Sequence, residues 1–449
     1  AEPDELATIF WGREDTDLRR QAQKLKTMRH PNILTYYDSL ESDDQFYLVT
    51  ERCKPLATYL RDSNLRGEQL ELVVSWGVYQ VMNTLKFLHE ANISHQFVRK
   101  AIFVTQAGDW KLACFHRTDT FKNAQQDLNA FALVLFEIFN GFNDGISKPG
   151  TFFKPPGKIP KKLHDLYKRI HSIEAAKQSA AELLRECRAP GGFCKNKLVD
   201  TLLFLEEFQL KEASEKQSFF THLRENLAIF PDDVAKFKIL PRLIMASTYE
   251  YGDAGPNILI PLFRLGRLLD EKEYQRRIVP CLVKLFGSPD RTTRVKLLEK
   301  LDEFAPHLTP QIVNDKIYGN LAQGFLDTSP AVRESTVKAM VVLAEKLNNH
   351  NLNVDLMKYL AKLQGTDEHG GIRTNTTICL GKIAHHLDPS GRQRILLGAF
   401  TRGLKDPFPP SRSASVLALS ATQQFYSLAE VANRVLPSLS PLACDPEKE

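Results

Sequence analysis

"DWKLACFH", residues 109 to 116, is the stretch on which the reading of the first half of this chain turns. Two short apolar runs, "AIFVT" (101–105) and "WKLACF" (110–115), flank the turn residues "QAGD", a pattern that predicts paired strands. In that hairpin Asp109 belongs to a polar turn, Cys114 reads as a small buried hydrophobe, and His95 and His116 read as pocket-lining residues without a sequence partner for base catalysis. Working outward, a β-like "ATIFW" precedes the polar helical stretch "DLRRQAQKLKTMRH", then "HPNIL" and the apolar strand "FYLVTE". A long amphipathic helix around "VVSWGVYQVMNTLKFLHE" leads into the hairpin, and the helix "DLNAFALVLFEIFNG" follows it. The order is strands with one helix, then mostly helix.

The 449 residues, 43% hydrophobic and 25% charged, suit a core-forming chain of several domains. The densest apolar run, "FALVLFEIF" (131–139), falls short of the roughly 20 residues a bilayer demands and predicts a buried helix. No transmembrane segment is expected, and "AEPDELATIF" has no signal-peptide character. Seven scattered cysteines, with Cys187 and Cys194 the only close pair, lack zinc spacing and point to reduced, intracellular thiols. A net charge of +5 permits acidic partners without requiring them.

Several pieces of the first half, in order and spacing, resemble a protein kinase domain. "HPNIL" stands where kinases carry HPNI, "YLVTE" resembles the strand entering the hinge, and "LKFLHEANISH" resembles the helix leading to the catalytic loop. Asp127 matches the buried Asp that opens a kinase's central helix, and "CFH" stands in place of Asp-Phe-Gly.

The resemblance implies five side chains for phosphoryl transfer. Phe10 occupies the place of the strand Lys, and Gln21 that of its Glu partner. Gln96 and Ala101 occupy the places of the catalytic-loop Asp and Asn when "AIFV" is matched to the usual NILL run. Matching His95 to the kinase His instead puts Phe97 and Ile102 there. Cys114 stands for the metal-binding Asp, and magnesium prefers hard oxygen ligands. No Gly-rich loop precedes Phe10, and only ten residues separate His116 from Asp127. The expectation is a domain that transfers no phosphate, with no cofactor and no metal.

From about residue 236 the strand signals end and a repeat takes over. "FGSPDRTTRVKLLEKL", "FLDTSPAVRESTVKAM", "GTDEHGGIRTNTTICL" and "LKDPFPPSRSASVLAL" each place a turn before an Arg and a helix. The arginines, Arg294, Arg333, Arg373 and Arg412, are separated by 39, 40 and 39 residues, which suits two-helix HEAT-type units in an α-solenoid. Val337, Met340, Val341, Ala344 and Leu347 share one helical face, and Thr376, Cys379, Leu380, Ile383 and Leu387 another, so the units must stack to bury them. Asp327 with Arg333, Asp367 with Arg373 and Asp406 with Arg412, each six apart, suit a ladder of charge-assisted hydrogen bonds between neighbouring turns. The fold class is therefore an α+β kinase-like domain followed by an all-α HEAT-repeat solenoid. Its parts are residues 1–200 kinase-like, 201–235 a connecting helical segment after the tight turn Ala189 to Phe193, and 236–449 the solenoid.

"CRAPGGF", "FLEEFQLKE", "GFLDTSPAVRESTVKAM", "RTNTTICLGKIA" and "DPFPPSR" together resemble the SCY-like pseudokinases over nearly the whole chain. The resemblance implies a catalytically inactive cytoplasmic scaffold, peripheral at the Golgi and the ER-Golgi intermediate compartment, in COPI-mediated retrograde traffic. Its implied partners are coatomer, bound through a basic motif at the extreme C-terminus, and Arf-family small GTPases, with a homo-oligomer possible. This sequence ends "LACDPEKE" and does not display that motif. Fungal relatives are tied to tRNA export, so a tRNA nuclear-export adaptor is the second reading. A nucleotide-responsive switch, with adenine held at the hinge Glu51 to Cys53, is the third. "KPPGKIPKK", with Lys154, Lys158, Lys161 and Lys162, reads as a solvated loop before it reads as a surface for an acidic partner or membrane headgroups.

Overall fold

Alternation along "ATIFWGR" builds the first strand, β1 (Ala7–Arg13), with Thr8, Phe10 and Gly12 half-buried on one face and Ile9 and Trp11 exposed on the other. It pairs antiparallel with β3 (Gln45–Glu51), whose other edge carries β2 (Tyr36–Ser42). The sequence reading passes over β2, because "YYDSLES" is a largely exposed edge strand without an apolar alternation. Helix α1 (Thr16–Thr27) packs against this sheet and buries Gln21, Ala22 and Leu25.

The computed structural model describes residues 6–13, 16–42, 44–142, 155–249 and 256–447. They form two compact units, Ala1–Lys211 with His222–Arg242, and Glu212–Thr221 with Leu243–Glu449.

In the first unit, β4 (Cys53–Pro55), β6 (Ile102–Thr105) and β7 (Trp110–Leu112) form a second sheet in the order β4-β6-β7, and β5 (Ile93–Ser94) pairs with β8 (Asp119–Thr120). "HPNIL" ties the sheets together: the Leu34 N–H donates to the Leu112 carbonyl and the Leu112 N–H to the Asn32 carbonyl, both at 2.9 Å. After α2 (Leu56–Ser63), the long helix α3 (Gly67–Glu90) buries Val74, Val78, Val81, Met82, Leu85 and Leu88. Glycine at its centre has a packing reason, since a Cβ on Gly77 would lie 2.2 Å from the fully buried Trp110 indole. Helix α4 (Gln125–Asn140) buries Phe131, Ala132, Val134 and Leu135, so "FALVLFEIF" is core. Among the described residues, no helix is long and apolar enough to cross a membrane. Helices α5 (His164–Ile170), α6 (Ala180–Arg188) and α7 (Lys197–Glu206) complete the lobe. Helix α7 is capped by Asn196, whose amide also donates to Ser75 of α3 at 2.7 Å.

Asp127, in the first turn of α4, is 0% exposed yet fully hydrogen-bonded. It accepts from the His95 N–H at 2.9 Å, the Gln96 N–H at 2.7 Å and the Ser94 hydroxyl at 2.9 Å, and lies 3.1 Å from His89 Nε2. Burial raises this carboxyl, but the hydrogen bonds from His89 and the two backbone N–H groups outweigh it and hold it below the usual carboxylate range.

The second unit is all-α among its described residues. The Pro330–Leu343 helix and the 3₁₀ turn after it bury Val337, Met340, Leu343 and Ala344, while Val341 is only half-buried. The Gly370–Ile383 helix packs beside it and buries Thr376, Cys379, Leu380 and Ile383, with Leu387 buried beyond its end. Arg333, Arg373 and Arg412 each make two kinds of bond. Arg333 Nη1 donates to the Asp327 carbonyl six residues back at 2.9 Å, while Nε and Nη2 reach the Asp367 carboxylate of the next turn at 2.7 and 3.2 Å. Arg373 holds the Asp367 carbonyl and the Asp406 carboxylate in the same way, and Arg412 holds the Asp406 carbonyl and the Asp445 carboxylate. The first rung is looser, with Arg294 3.4 Å from Asp327. The carboxylates also accept the N–H two residues on, as Asp367 does from His369.

Replacing Asp127 by Asn puts an NH2 group among donors, and the expected cost is about 3 kcal/mol in urea denaturation; a loss under about 1 kcal/mol would contradict the network's role. In the ladder, Arg373→Ala leaves the 7%-exposed Asp406 side chain without its cation and is expected to cost about 3 kcal/mol. Arg291→Ala, at a 57%-exposed Arg that pairs with Asp327, should change stability by less than about 0.5 kcal/mol. Burial raises the Asp367 and Asp406 carboxyls, but the hydrogen bonds from Arg333 and Arg373 outweigh it and leave both below the usual range. Their contribution is therefore complete above the unfolded value of about 3.9 and lost as pH falls through the lower folded values. Denaturation midpoints recorded between about pH 6 and about pH 3 should fall in the wild type and fall less in Arg373→Ala.

Candidate functional site

The loop Ser94–Phe97 and the segment Ala113–Arg117 face each other, and their backbones are fixed before any side chain is considered. Asp127 draws in the N–H groups of His95 and Gln96, and Gln96 takes a left-handed φ of +68° to present its own. Cys114 sits at φ +60°, so the chain leaves β7 in a sharp turn. His95 bridges the two segments: Nε2 donates to the Ala113 carbonyl at 2.8 Å and Nδ1 accepts the Phe97 N–H at 3.2 Å. Full burial pushes this imidazole below its ordinary value, so it is a neutral brace in the core.

The side chains in this region are mainly aromatic. Phe97 packs edge-on against His116 at 5.6 Å, and the Arg117 guanidinium lies 4.6 Å over the same ring. Phe10, on β1, meets Phe103, on β6, edge-on at 5.5 Å. Gln21 is buried on α1, which packs against the Phe115–Arg117 turn, and Ala101 is fully buried at the foot of β6. Burial raises the Cys114 thiol to about 11, so it carries no charge near neutrality. Phe10, Gln21, Gln96, Ala101 and Cys114 thus lie on β1, α1, the loop after β5, the foot of β6 and the turn after β7, and none brings a carboxylate or an ammonium group. Among the described residues, no three His, Cys, Asp or Glu side chains are grouped to hold a metal ion.

Sequence reasoning missed what holds the hinge. The Cys53 N–H donates to the Thr8 hydroxyl at 2.9 Å, and that hydroxyl donates back to the Cys53 carbonyl at 3.2 Å. Both hinge groups are therefore engaged by β1. Glu51 accepts the Thr35 N–H at 2.8 Å and pairs with Lys111 at 3.5 Å. No local signal points to Thr8, because the two residues lie 45 apart in sequence.

Asp109 is engaged elsewhere. It accepts from Trp76 Nε1 at 2.9 Å and Gln80 Nε2 at 2.8 Å, and it pairs with Lys238. Burial raises its carboxyl, but Lys238 and the two side-chain donors outweigh that and hold it low. Asp109 is thus the anchor that fastens the residue-238 segment to the hairpin turn, and Lys238 also lies over the Trp76 ring at 4.8 Å. Of the basic stretch, Lys158, Lys161 and Lys162 are exposed around the buried Ile159 and Leu163, while Lys154 lies outside the described residues.

Residues 10–133 match the family model described as protein kinase domain. The chain is 33% identical to the probable inactive serine/threonine-protein kinase scy1 of Dictyostelium discoideum, over 95% of this chain and 55% of that protein. It is 24% identical to the cytoplasmic export protein 1 of Saccharomyces cerevisiae, over 93% of this chain and 59% of that protein. The solved structure described as "Crystal structure of Cex1p" superposes with a TM-score of 0.69 at 22% identity, covering 98% of this chain and 87% of the other, and establishes the shared fold. The chain thus spans little more than half the length of these two curated relatives.

These findings overturn the expectation of coatomer and Arf partners. The relative of these two that is named for a task is named for export. What stands on both the motifs and the comparisons is descent: this is a kinase-domain-containing protein related to the SCY1-like pseudokinase family.

Proposed function

We propose that this chain is a non-catalytic scaffold whose kinase-like domain and HEAT-type repeats serve as an adaptor in tRNA nuclear export. The observation that carries the reading is that likeness to the export protein runs through 93% of this chain, both units included. An enzyme would need only the first unit to be preserved. A stack of helix pairs offers a long continuous surface for a large ligand, and the repeat period of 39 to 40 residues with its Arg-to-Asp rungs supports such a stack.

The residue types at the kinase positions support the absence of catalysis. Phe10 and Gln21 replace the Lys and Glu pair, Cys114 replaces the metal-binding Asp, and Ala101 or, with His95 matched to the kinase His, Ile102 replaces the Asn. The hold of Asp127 on the His95 and Gln96 N–H groups favours matching His95 to the kinase His, which puts Phe97, rather than Gln96, in place of the base. Neither residue accepts a proton. Without cations at the phosphates, nothing offsets charge on a transferring phosphoryl group. With the Cys53 groups engaged by Thr8 and the Phe10–Phe103 contact between the strands, an adenine would have to displace existing interactions.

Titration of ATP into the full chain should give no binding heat and no thermal shift, with or without magnesium. Transfer of the γ-phosphate that survived repurification would remove the non-catalytic reading. Purified tRNA should retard the full chain in a native gel, with an affinity that falls as salt rises because phosphate contacts release counterions. No shift at low salt, together with nuclease-insensitive capture of proteins alone from cytosol, would remove the export reading and leave only a protein scaffold.

A further inference from the structure

The stretch "ECRAPGGFC", residues 186–194, folds back on the C-terminal end of α6. Gly191 adopts φ +84°, and a Cβ on Gly192 would lie 2.3 Å from the Cys187 carbonyl oxygen, so glycine is required for the chain to turn this closely. The Cys194 N–H donates to that carbonyl at 2.9 Å, which sets the two cysteines side by side. Their sulfurs are 2.7 Å apart, and both are free thiols. Arg188 clamps the turn from outside, donating to the Cys194 carbonyl and to Asp200, each at 2.7 Å.

The two thiols differ in access. Cys194 is 0% exposed. Cys187 lines a surface cleft of about 210 Å³ with Lys162, Arg169, Glu186, Gly192 and Phe193. Such a cleft admits a small oxidant but not a folded partner. No other described cysteine pairs a neighbouring thiol with a cleft: Cys53, Cys281 and Cys379 are buried elsewhere, Cys114 is half-buried, and Cys444 is exposed.

We propose that Cys187 and Cys194 are a reversible dithiol–disulfide site for a hydroperoxide, with Cys187 as the attacked thiol at the cleft and Cys194 as the resolving thiol behind it. This site is independent of the export reading. The Cys187 thiolate attacks one oxygen of the peroxide; an S–O bond forms, the O–O bond breaks, and hydroxide or alkoxide leaves and takes up a proton. The Cys194 sulfur then attacks the Cys187 sulfenic acid; an S–S bond forms, the S–O bond breaks, and water leaves with the Cys194 proton. Two electrons pass from the sulfurs to the peroxide. Two molecules of a low-molecular-weight thiol restore the pair: the first attacks one sulfur to give a mixed disulfide and a free thiol, and the second attacks that mixed disulfide, leaves as the joined disulfide of the two and frees the other cysteine. The hydrogen bond from Cys194 holds the Cys187 thiol below its ordinary range, and burial pushes Cys194 up, an asymmetry that suits these roles. The bond would join the end of α6 to the residues just before the Asn196 cap of α7, stiffening the turn through which α7 docks on α3.

The test is brief exposure of the reduced full chain to hydrogen peroxide, alkylation under native conditions, and peptide mapping with and without reductant. The expected result is a Cys187–Cys194 cross-link formed in the folded chain, loss of both residues from the alkylated set, and full return with reductant. In Cys194→Ala, Cys187 should accumulate as a sulfenic acid that a 1,3-dione traps. Both residues remaining thiols while Cys444 oxidises would overturn the proposal, as would a cross-link that forms only after denaturation. A bridge that resists reductant in the folded chain would make it a structural disulfide and equally end the switch. The wild-type mapping decides the matter even where the variant does not fold.

Discussion

The first unit depends on one buried charge. Asp127 is sealed from water, and a carboxylate so placed is tolerated only because donors from three directions surround it. That requirement works in reverse as a constraint on the chain. The His95 and Gln96 N–H groups must point at α4, so Gln96 must adopt a left-handed backbone and His95 must turn its ring towards Ala113. The geometry of a catalytic loop is thus kept by forces unrelated to catalysis. A kinase-like outline can outlast its chemistry because the carboxylate that shapes the loop is not one of those that touch phosphate.

The second unit solves a different problem with the same chemistry. Each helix pair has one apolar face and cannot bury it alone. Apolar contact sets the stacking but leaves its register loosely defined, and the Arg-to-Asp rungs define it. Arg333, Arg373 and Arg412 each use one nitrogen on a carbonyl of their own turn and the rest of the fork on the next turn's carboxylate. A planar guanidinium can do both at once; a lysine could not. The Asp in turn caps its own following residues, so every rung ties a turn, a helix start and a neighbour together.

Much of this was legible in the residues. The hairpin, the long helix, the buried "FALVLFEIF" and the repeat arginines all follow from local periodicity, which a helix or strand expresses over a few residues. The expectation at positions 10, 21 and 114 rests on residue type alone, since no fold makes a carboxylate of Phe or Cys. Two readings were coarser than the outcome. Strand β2 escaped notice because an exposed edge strand needs no apolar alternation. Asp327, Asp367 and Asp406 were visible as members of Asp and Arg pairs six apart, but each carboxylate serves the Arg of the preceding repeat while its carbonyl serves the Arg six residues on.

By itself, then, the sequence determined the two classes of architecture and the repeat period, because these are properties of residue type and spacing. Tertiary structure alone decided which groups meet. Thr8 closes on Cys53 across 45 residues, and Lys238 reaches Asp109 across 129. Even Cys194, only seven residues from Cys187, is brought to it by a turn that glycine permits and a backbone hydrogen bond sets. Such meetings depend on how elements pack, and packing is decided by the whole set of buried faces at once.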